Sequence, residues 1–235
     1  LTKHKHVHEQ IIEHGWDSDL FVGSSLVDMY AKCGGMEDAW RVSNKMPSHD
    51  VVSWNAILGG CAIHGHWKEA LKHFELIHEG VQPNDITFVC LLSACSHAGL
   101  VDEGICYASI SAVYKIFAKS EHYTCVVDLL GHAGHLQEAE NTIKEMPCQP
   151  HVAAWKALLG ACRIQGNVEM AEHVARPVLE LEPENAAGYV LLSNIYAAAA
   201  NKHLCEDDVD REARGMMKQP GHTCVELNIL YYTCC

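Results

Sequence analysis

The sequence predicts an all-α chain: an α-solenoid of stacked helix-turn-helix repeats forming a right-handed superhelix. Two landmarks carry this expectation. A glycine recurs at Gly34, Gly65, Gly99, Gly134 and Gly166, in steps of 31, 34, 35 and 32 residues by subtraction. A small residue recurs five positions further on, at Ala39, Ala70, Gly104, Ala139 and Ala171, with the same four steps. Two landmarks that keep pace through uneven steps mark a repeat. A period of about 34 residues made of two helices is the signature of a solenoid whose units contact mainly their neighbours.

The stretch Val51–Asn84 shows how one unit is built. Trp54, Ile57, Leu58 and Cys61 recur at three- and four-residue spacing, one face of a first helix. Gly65 follows His64, where a helix end wants the left-handed conformation that glycine adopts cheaply. Trp67, Ala70, Leu71 and Phe74 give the apolar face of a second helix, which Gly80 and Pro83 stop. Two short helices cannot bury their stripes alone, so the unit must stack on copies of itself. The small residue lets the helices approach closely. The acid before it (Asp38, Glu69, Glu103, Glu138) sits near the positive end of the second helix.

Taken in order, residues 1–19 read as the second helix of a repeat whose first half is missing, and the chain as a fragment. Units follow at 20–50, 51–84, 85–119 and 120–151, then a related region at 152–217 and a divergent end at 218–235. At 49% hydrophobic and 7% aromatic, 235 residues suit helix stacking better than a sandwich or barrel. No run is apolar enough to span a bilayer, so no membrane partner is expected. Twelve cysteines include no C-x-x-C. Cys61, Cys95 and Cys162 each stand four residues before a turn glycine, which makes them equivalent core positions and points to a reducing compartment. The net charge of −13 favours a protein partner over nucleic acid on charge alone, because phosphate neutralisation supplies much of nucleic-acid affinity.

The residues closely resemble plant pentatricopeptide repeat proteins of the PLS subclass. The resemblance lies in L-V-D-M-Y-A-K-C-G (Leu26–Gly34), V-V-S-W-N-A (Val51–Ala56), L-L-S-A-C-S-H-A-G-L-V-D-E-G (Leu91–Gly104) and Y-T-C-V-V-D-L-L-G (Tyr123–Gly131). Ala154–Glu169 and Leu179–Ala199 resemble the paired E motifs that follow the last repeat, and Lys218–Asn228 resembles the P-G box, with Cys224 where relatives carry Trp. Between Ala200 and Met217 the E pattern degrades, and the tail after Asn228 matches nothing expected. The resemblance implies an organellar protein, mitochondrial or chloroplastic. By the same resemblance, the fifth and last residues of each motif face one RNA base. The pairs are Ser24 with Asp50, Asn55 with Asn84, Val89 with Lys119, and Thr124 with His151; Phe21 and Val52, at second positions, would wedge between bases. Polar side chains suit this task, since a single strand offers its Watson–Crick edges freely. The alternative is that Ser24 and Asn55 merely cap or decorate helix starts. Val89 cannot read a base by hydrogen bonding, and His151 stands where relatives usually have Asp.

Three function classes follow. One is a sequence-specific single-stranded RNA adaptor for organellar C-to-U editing, with the deaminase supplied in trans through the E region. The second is a protein-binding tetratricopeptide-like scaffold; that array keeps a steady step and a W-x-x-L-G-x-x-Y pattern, and this chain has neither. The third is a fragment of a complete editing enzyme. Zinc deaminase chemistry needs H-x-E and P-C-x-x-C. His73-Phe74-Glu75 matches the first by letter but sits in a repeat helix with Phe74 in the core, and Pro147-Cys148-Gln149-Pro150-His151 lacks the second cysteine. His4 and His8 share a helix face as a metal pair would, yet no third ligand is near, and solvated histidines are the plainer reading. No catalytic residue and no cofactor are expected. Elemental analysis of the purified chain is expected to find no stoichiometric zinc; one tightly held zinc per chain would overturn that expectation.

Overall fold

The computed structural model describes residues 2–77 and 80–213. Among them are twelve α-helices and no strand: α1 (Thr2–Glu13), α2 (Leu20–Lys32), α3 (Met36–Lys45), α4 (Val51–Ile63), α5 (Trp67–Ile77), α6 (Asp85–Ala98), α7 (Val101–Val113), α8 (Ser120–His132), α9 (Leu136–Glu145), α10 (Val152–Gln165), α11 (Val168–Leu181) and α12 (Ala187–Ala213). The P-G box resemblance, Cys224 and the divergent tail lie outside the described residues.

The helices form two rows. The lead helices α2, α4, α6, α8 and α10 pack side by side, each on the one before. The return helices α3, α5, α7 and α9 each lie against their own lead helix and the next one, and α11 lies against α10. At the ends, α1 packs on α2, and α12 packs on α10 and α11. Residues 152–213, most of the stretch that resembles the E motifs, form one hairpin plus a single long helix, which runs on through the part where the sequence pattern degrades.

This arrangement explains the two kinds of helix pattern. A return helix meets its neighbours on one side, so it carries a single apolar stripe. A lead helix is enclosed by the previous lead helix, the next one and the return row, so α4 is apolar almost all round, from Val51 to Ile63. Tyr30, Ile57, Leu58, Phe88 and Leu91 anchor the N-terminal core, and Val127, Ile143, Leu158, Leu159 and Ile195 the C-terminal one. Phe74 of α5 meets Phe88 of the next lead helix at 5.7 Å and Tyr107 of the next return helix at 5.5 Å, both edge to face.

Both landmarks have their physical cause on view. The five turn glycines all have φ between 67° and 87°, the left-handed region that other residues enter at a cost. Ala39, Ala70, Ala139 and Ala171 are completely buried. At Gly104 an added Cβ would stand 2.3 Å from Leu129 Cδ2 on the next lead helix and 3.3 Å from Cys95 Cβ on its own. The small residue thus admits two helices, not only the hairpin partner. Cys61, Cys95 and Cys162 are fully buried free thiols. Burial pushes them up to about 12, 11 and 11.

The lead helices touch almost backbone to backbone. A Cβ on Gly60 would lie 2.6 Å from Ala31 Cβ, whereas one on Gly160 would meet nothing within 4 Å. Alanine relieves the entropy cost of a mid-helix glycine by about 0.5–1 kcal/mol at either site. At Gly60 it also forces α2 and α4 apart, and overpacking costs about 1–3 kcal/mol. Gly160→Ala is expected to raise the urea midpoint and Gly60→Ala to lower it; equal shifts would show that the α2–α4 approach is not close.

Candidate nucleic-acid interface

The starts of the lead helices lie along one edge of the row. A helix start leaves backbone N–H groups without partners, and Asp or Asn before it supplies an acceptor. Asp19 accepts from Val22 N at 2.9 Å, Asp50 from Ser53 N at 2.8 Å and Asn84 from Thr87 N at 3.1 Å. At α10, His151 Nδ1 accepts from Ala153 N at 3.2 Å. Asp50, Asn84 and His151, singled out as last residues of their motifs, are therefore N-caps. Lys119 has no acceptor to offer. The buried His122 accepts from Lys119 N at 3.2 Å, the return half of a capping box, and Lys119 Nζ is tied to Asp85 Oδ2. That hydrogen bond from Lys119 is the main reason the Asp85 carboxyl is held below its usual range.

The fifth residues stand one turn inside the previous lead helix. Only one proposed pair is joined directly. Asn55 Nδ2 donates to Asn84 Oδ1 at 3.0 Å, and Thr87 Oγ1 donates to Asn55 Oδ1 at 2.7 Å. Ser24 and Thr124 instead turn their hydroxyls to their own helices, donating to Leu20 O at 2.7 Å and Ser120 O at 2.8 Å. Ser24 is 5% exposed. Val89 is half-buried. Phe21 and Val52 are 81% and 59% exposed, unusual for apolar residues beside a polar pair.

Three contacts escaped the sequence reading. Ile86, the second residue of α6, is 54% exposed and continues the apolar series of Phe21 and Val52; its place two residues past Asn84 was the available signal. Thr87 was missed because its bond crosses from one repeat to the next. At α10 the fifth residue, Lys156, donates to Glu182 Oε2 at 2.6 Å, an ion pair where earlier repeats carry neutral side chains. His4 and His8 have separate neighbours: His4 Nε2 lies 3.5 Å from Cys33 Sγ and His8 Nδ1 lies 3.1 Å from Tyr30 Oη. His73 lies against Trp54, ring centres 5.7 Å apart, and burial, with Lys72 adding, holds its pKa down.

The opposite ends of the lead helices are tied by histidines. His64 Nε2 is 2.7 Å from Ala31 O and His97 Nδ1 is 2.8 Å from Ala62 O, each reaching a last-turn carbonyl of the preceding lead helix. His132 instead pairs with Asp128 at 3.3 Å, and Ser96 donates to the same carboxylate at 2.5 Å. Burial alone would raise the Asp128 carboxyl; the bonds from His132 and Ser96 outweigh it and hold it low. The hydrogen bond to Asp128 lifts His132 to about 9.

Side-by-side lead helices with capped starts, a hydrogen-bonded amide pair and an exposed apolar series define a helical-repeat protein of the α-solenoid class. Family models give its identity. The E motif model matches residues 165–226, the PPR repeat family model 49–97, and the PPR repeat model 24–51 and 121–149. A mitochondrial pentatricopeptide repeat-containing protein of Arabidopsis thaliana is 46% identical over 231 residues, 97% of this chain and 36% of that protein. The chloroplastic protein CRR2 of the same plant is 42% identical over 240 residues, 99% of this chain and 36% of its own. The chain thus spans about a third of the length of these curated relatives. The crystal structure of PPR10 from maize superposes with a TM-score of 0.64 at 20% identity, covering 83% of this chain and 30% of PPR10; PPR10 has also been crystallised with an 18-nt psaJ RNA element. The chain belongs to the pentatricopeptide repeat family and carries an E motif.

The Asp128–His132 pair has a pH signature. A raised histidine contributes stability that is whole below its unfolded value of 6.5 and lost as pH climbs through about 9. A lowered carboxyl contributes stability that is whole above its ordinary 3.8 and lost as pH falls below it. With the His132 side chain 42% exposed, screening leaves about 1 kcal/mol at stake. The melting temperature is expected to decline from pH 6.5 to 9, and Asp128→Asn to flatten that decline; an unchanged slope would show that the pair is not formed.

Proposed function

We propose that the chain is a sequence-specific single-stranded RNA-binding adaptor that selects sites for C-to-U editing in a plant organelle. It catalyses nothing itself, and the deaminase is recruited in trans through the E region. The Asn55–Asn84 pair carries this reading. Two amides joined across neighbouring repeats, flanked by exposed Val52 and Ile86, offer a hydrogen-bonding edge between two apolar ledges. That is the combination a splayed-out base needs, since single-stranded RNA is recognised by stacking and by Watson–Crick edges. The organelle assignment draws on relatives named as mitochondrial and chloroplastic. The RNA assignment draws on a family whose member PPR10 has been crystallised with RNA.

Each repeat then reads one base, 5′ to 3′ from the N-terminus. In the Ser24–Asp50 pair, Asp50 spends Oδ1 on its cap and keeps Oδ2, and Ser24 keeps its lone pairs after donating to Leu20 O. An edge of acceptors favours a purine with donors, which is G. Asn55 with Asn84 favours a pyrimidine, C somewhat over U. Val89 with Lys119 is nearly indifferent. His151, in the place of the usual Asp, alters the preference of the Thr124 pair. Good base contacts discriminate by roughly 1–3 kcal/mol in duplex readout, so few readable repeats give weak overall selectivity.

The experiment is a competition series with single-base RNA variants at fixed salt. Asn55→Ser and Asn55→Thr are expected to shift the preferred base at one position and leave the others unchanged. Equal weakening toward all RNAs would reduce Asn55 to a helix-start residue.

A further inference from the structure

We infer that Thr87, buried beneath the Asn55–Asn84 pair, determines the base preference of that repeat by fixing the direction of both amides. The inference rests on the base-reading role proposed above. Thr87 is completely buried and touches no base itself, so its part is positioning.

The orientation follows link by link from one backbone group. Thr87 N can only donate, so the Asn84 atom 3.1 Å away must be its oxygen. The Asn55 atom 3.0 Å from that oxygen must then be the amide nitrogen. Asn55 is thereby turned so that its own oxygen lies 2.7 Å from Thr87 Oγ1, which must donate to it. The hydroxyl also lies 3.1 Å from Asn84 Oδ1, but its single hydrogen serves the shorter contact. Its lone pairs stay available to accept from Asn84 N at 3.1 Å. No link can be reversed without setting like against like: a turned Asn84 would face Thr87 N with donors, and a turned Asn55 would face Asn84 Oδ1 with an acceptor.

What remains unspent defines the reading edge. Asn84 keeps both amide hydrogens, because its oxygen is committed to Thr87 N and Asn55. Asn55 keeps one amide hydrogen. An edge dominated by donors suits a base that offers neighbouring acceptors, as cytosine does at N3 and O2; uracil presents an N–H at position 3. Without the hydroxyl, Asn55 loses the donor that holds its oxygen inward and keeps only its bond to Asn84; its amide can then swing off that contact and present its oxygen to uracil.

The preceding repeat supplies an internal control. Ser53 occupies the position equivalent to Thr87 and makes the same reciprocal cap, accepting from Asp50 N at 3.0 Å while its own N donates to Asp50 Oδ1. Its hydroxyl donates to Asp50 O at 2.9 Å, so it bridges to no fifth-position side chain. Ser53→Ala therefore loses a cap of the same kind with no amide to release.

The test uses the full chain and RNA oligomers that it selects from a random pool, varied at one base at a time. A C-over-U ratio of roughly fivefold in the wild type, the low end for a good base contact, is expected to fall to about parity in Thr87→Val. Thr87→Ser is expected to restore it. Ser53→Ala is expected to lower the melting temperature and leave preferences at every base intact. Thr87→Val that still binds RNA with the wild-type ratio would reduce Thr87 to a cap and overturn the inference, leaving base reading by Asn55 standing. Loss of preference in the wild type as well would bring down the base-reading role, and this inference with it. Should Thr87→Val fail to fold, side-chain amide exchange in the wild type decides: the Asn55 amide is expected to exchange slowly, and exchange at the rate of an exposed Asn would overturn the bridge.

Discussion

The structure depends on how closely one lead helix can lie against the next. At α2–α4 the contact is Gly60 on Ala31, and at α8–α10 it is Gly131 on Ala161; a Cβ on either glycine would stand 2.6 Å from the alanine methyl. Approach this close fixes the offset between neighbouring helices. The start of each lead helix lands beside the second turn of its predecessor, which is how Asn84 comes to sit 3.0 Å from Asn55. At the other end the same offset puts His64 and His97 on the last-turn carbonyls of the preceding helix. Last-turn carbonyls lack the i+4 partner of the helix interior, so they have accepting capacity to spare; Ala31 O takes Gly34 N at 3.2 Å as well as His64, and the histidines tie the row.

The N-terminal edge shows one set of residues serving two demands. A helix start needs an acceptor, and Asp or Asn provides it with one oxygen. Each has polar capacity left over: a second oxygen on Asp50, two amide hydrogens on Asn84. A repeat can therefore secure its fold and still present hydrogen-bonding groups at the same place. Lys119 shows the demands separating. Its side chain cannot cap and is committed to Asp85, His122 accepts from its backbone N–H, and Val89 at the fifth position offers nothing polar. At α10 the commitment goes further, because Lys156 and Glu182 neutralise each other.

The repeat was legible in the sequence because its causes are local. A turn that needs positive φ needs glycine, and a helix that admits two neighbours needs a small residue, so both recur in register. Buried cysteines four residues before the turn were legible for the same reason; Tyr30 and Leu130 fill the equivalent positions in other repeats. Asn55 and Asn84 could be paired by position, but their hydrogen bond could not, since it depends on the approach of α4 to α6. Thr87 and Glu182 were hidden because their bonds to Asn55 and Lys156 join residues 32 and 26 apart, with no local pattern to reveal them. His4 and His8 show the converse. Their i,i+4 spacing suggests a shared ligand, while each ring is engaged by a different residue of α2 or its end.

The acidic composition, which argued against nucleic acid, loses force once the charges are placed. Glu37, Asp38, Glu69, Asp102, Glu103, Glu138 and Glu169 all lie in the first turns of return helices. There they meet the positive end of their own helix dipoles. Because a return helix runs antiparallel to its lead helix, those turns sit at the far end from the capped starts. A lead helix of 13 residues, such as α4, separates the two ends by about 20 Å at 1.5 Å per residue. Screening at physiological ionic strength acts over about 8 Å. Five more acids, from Glu206 to Glu212, fall in the last turns of α12. Net charge of −13 is thus a sum over distant places. Near the Asn55–Asn84 pair the local balance is set by neutral amides and by Asp85, whose charge Lys119 already offsets.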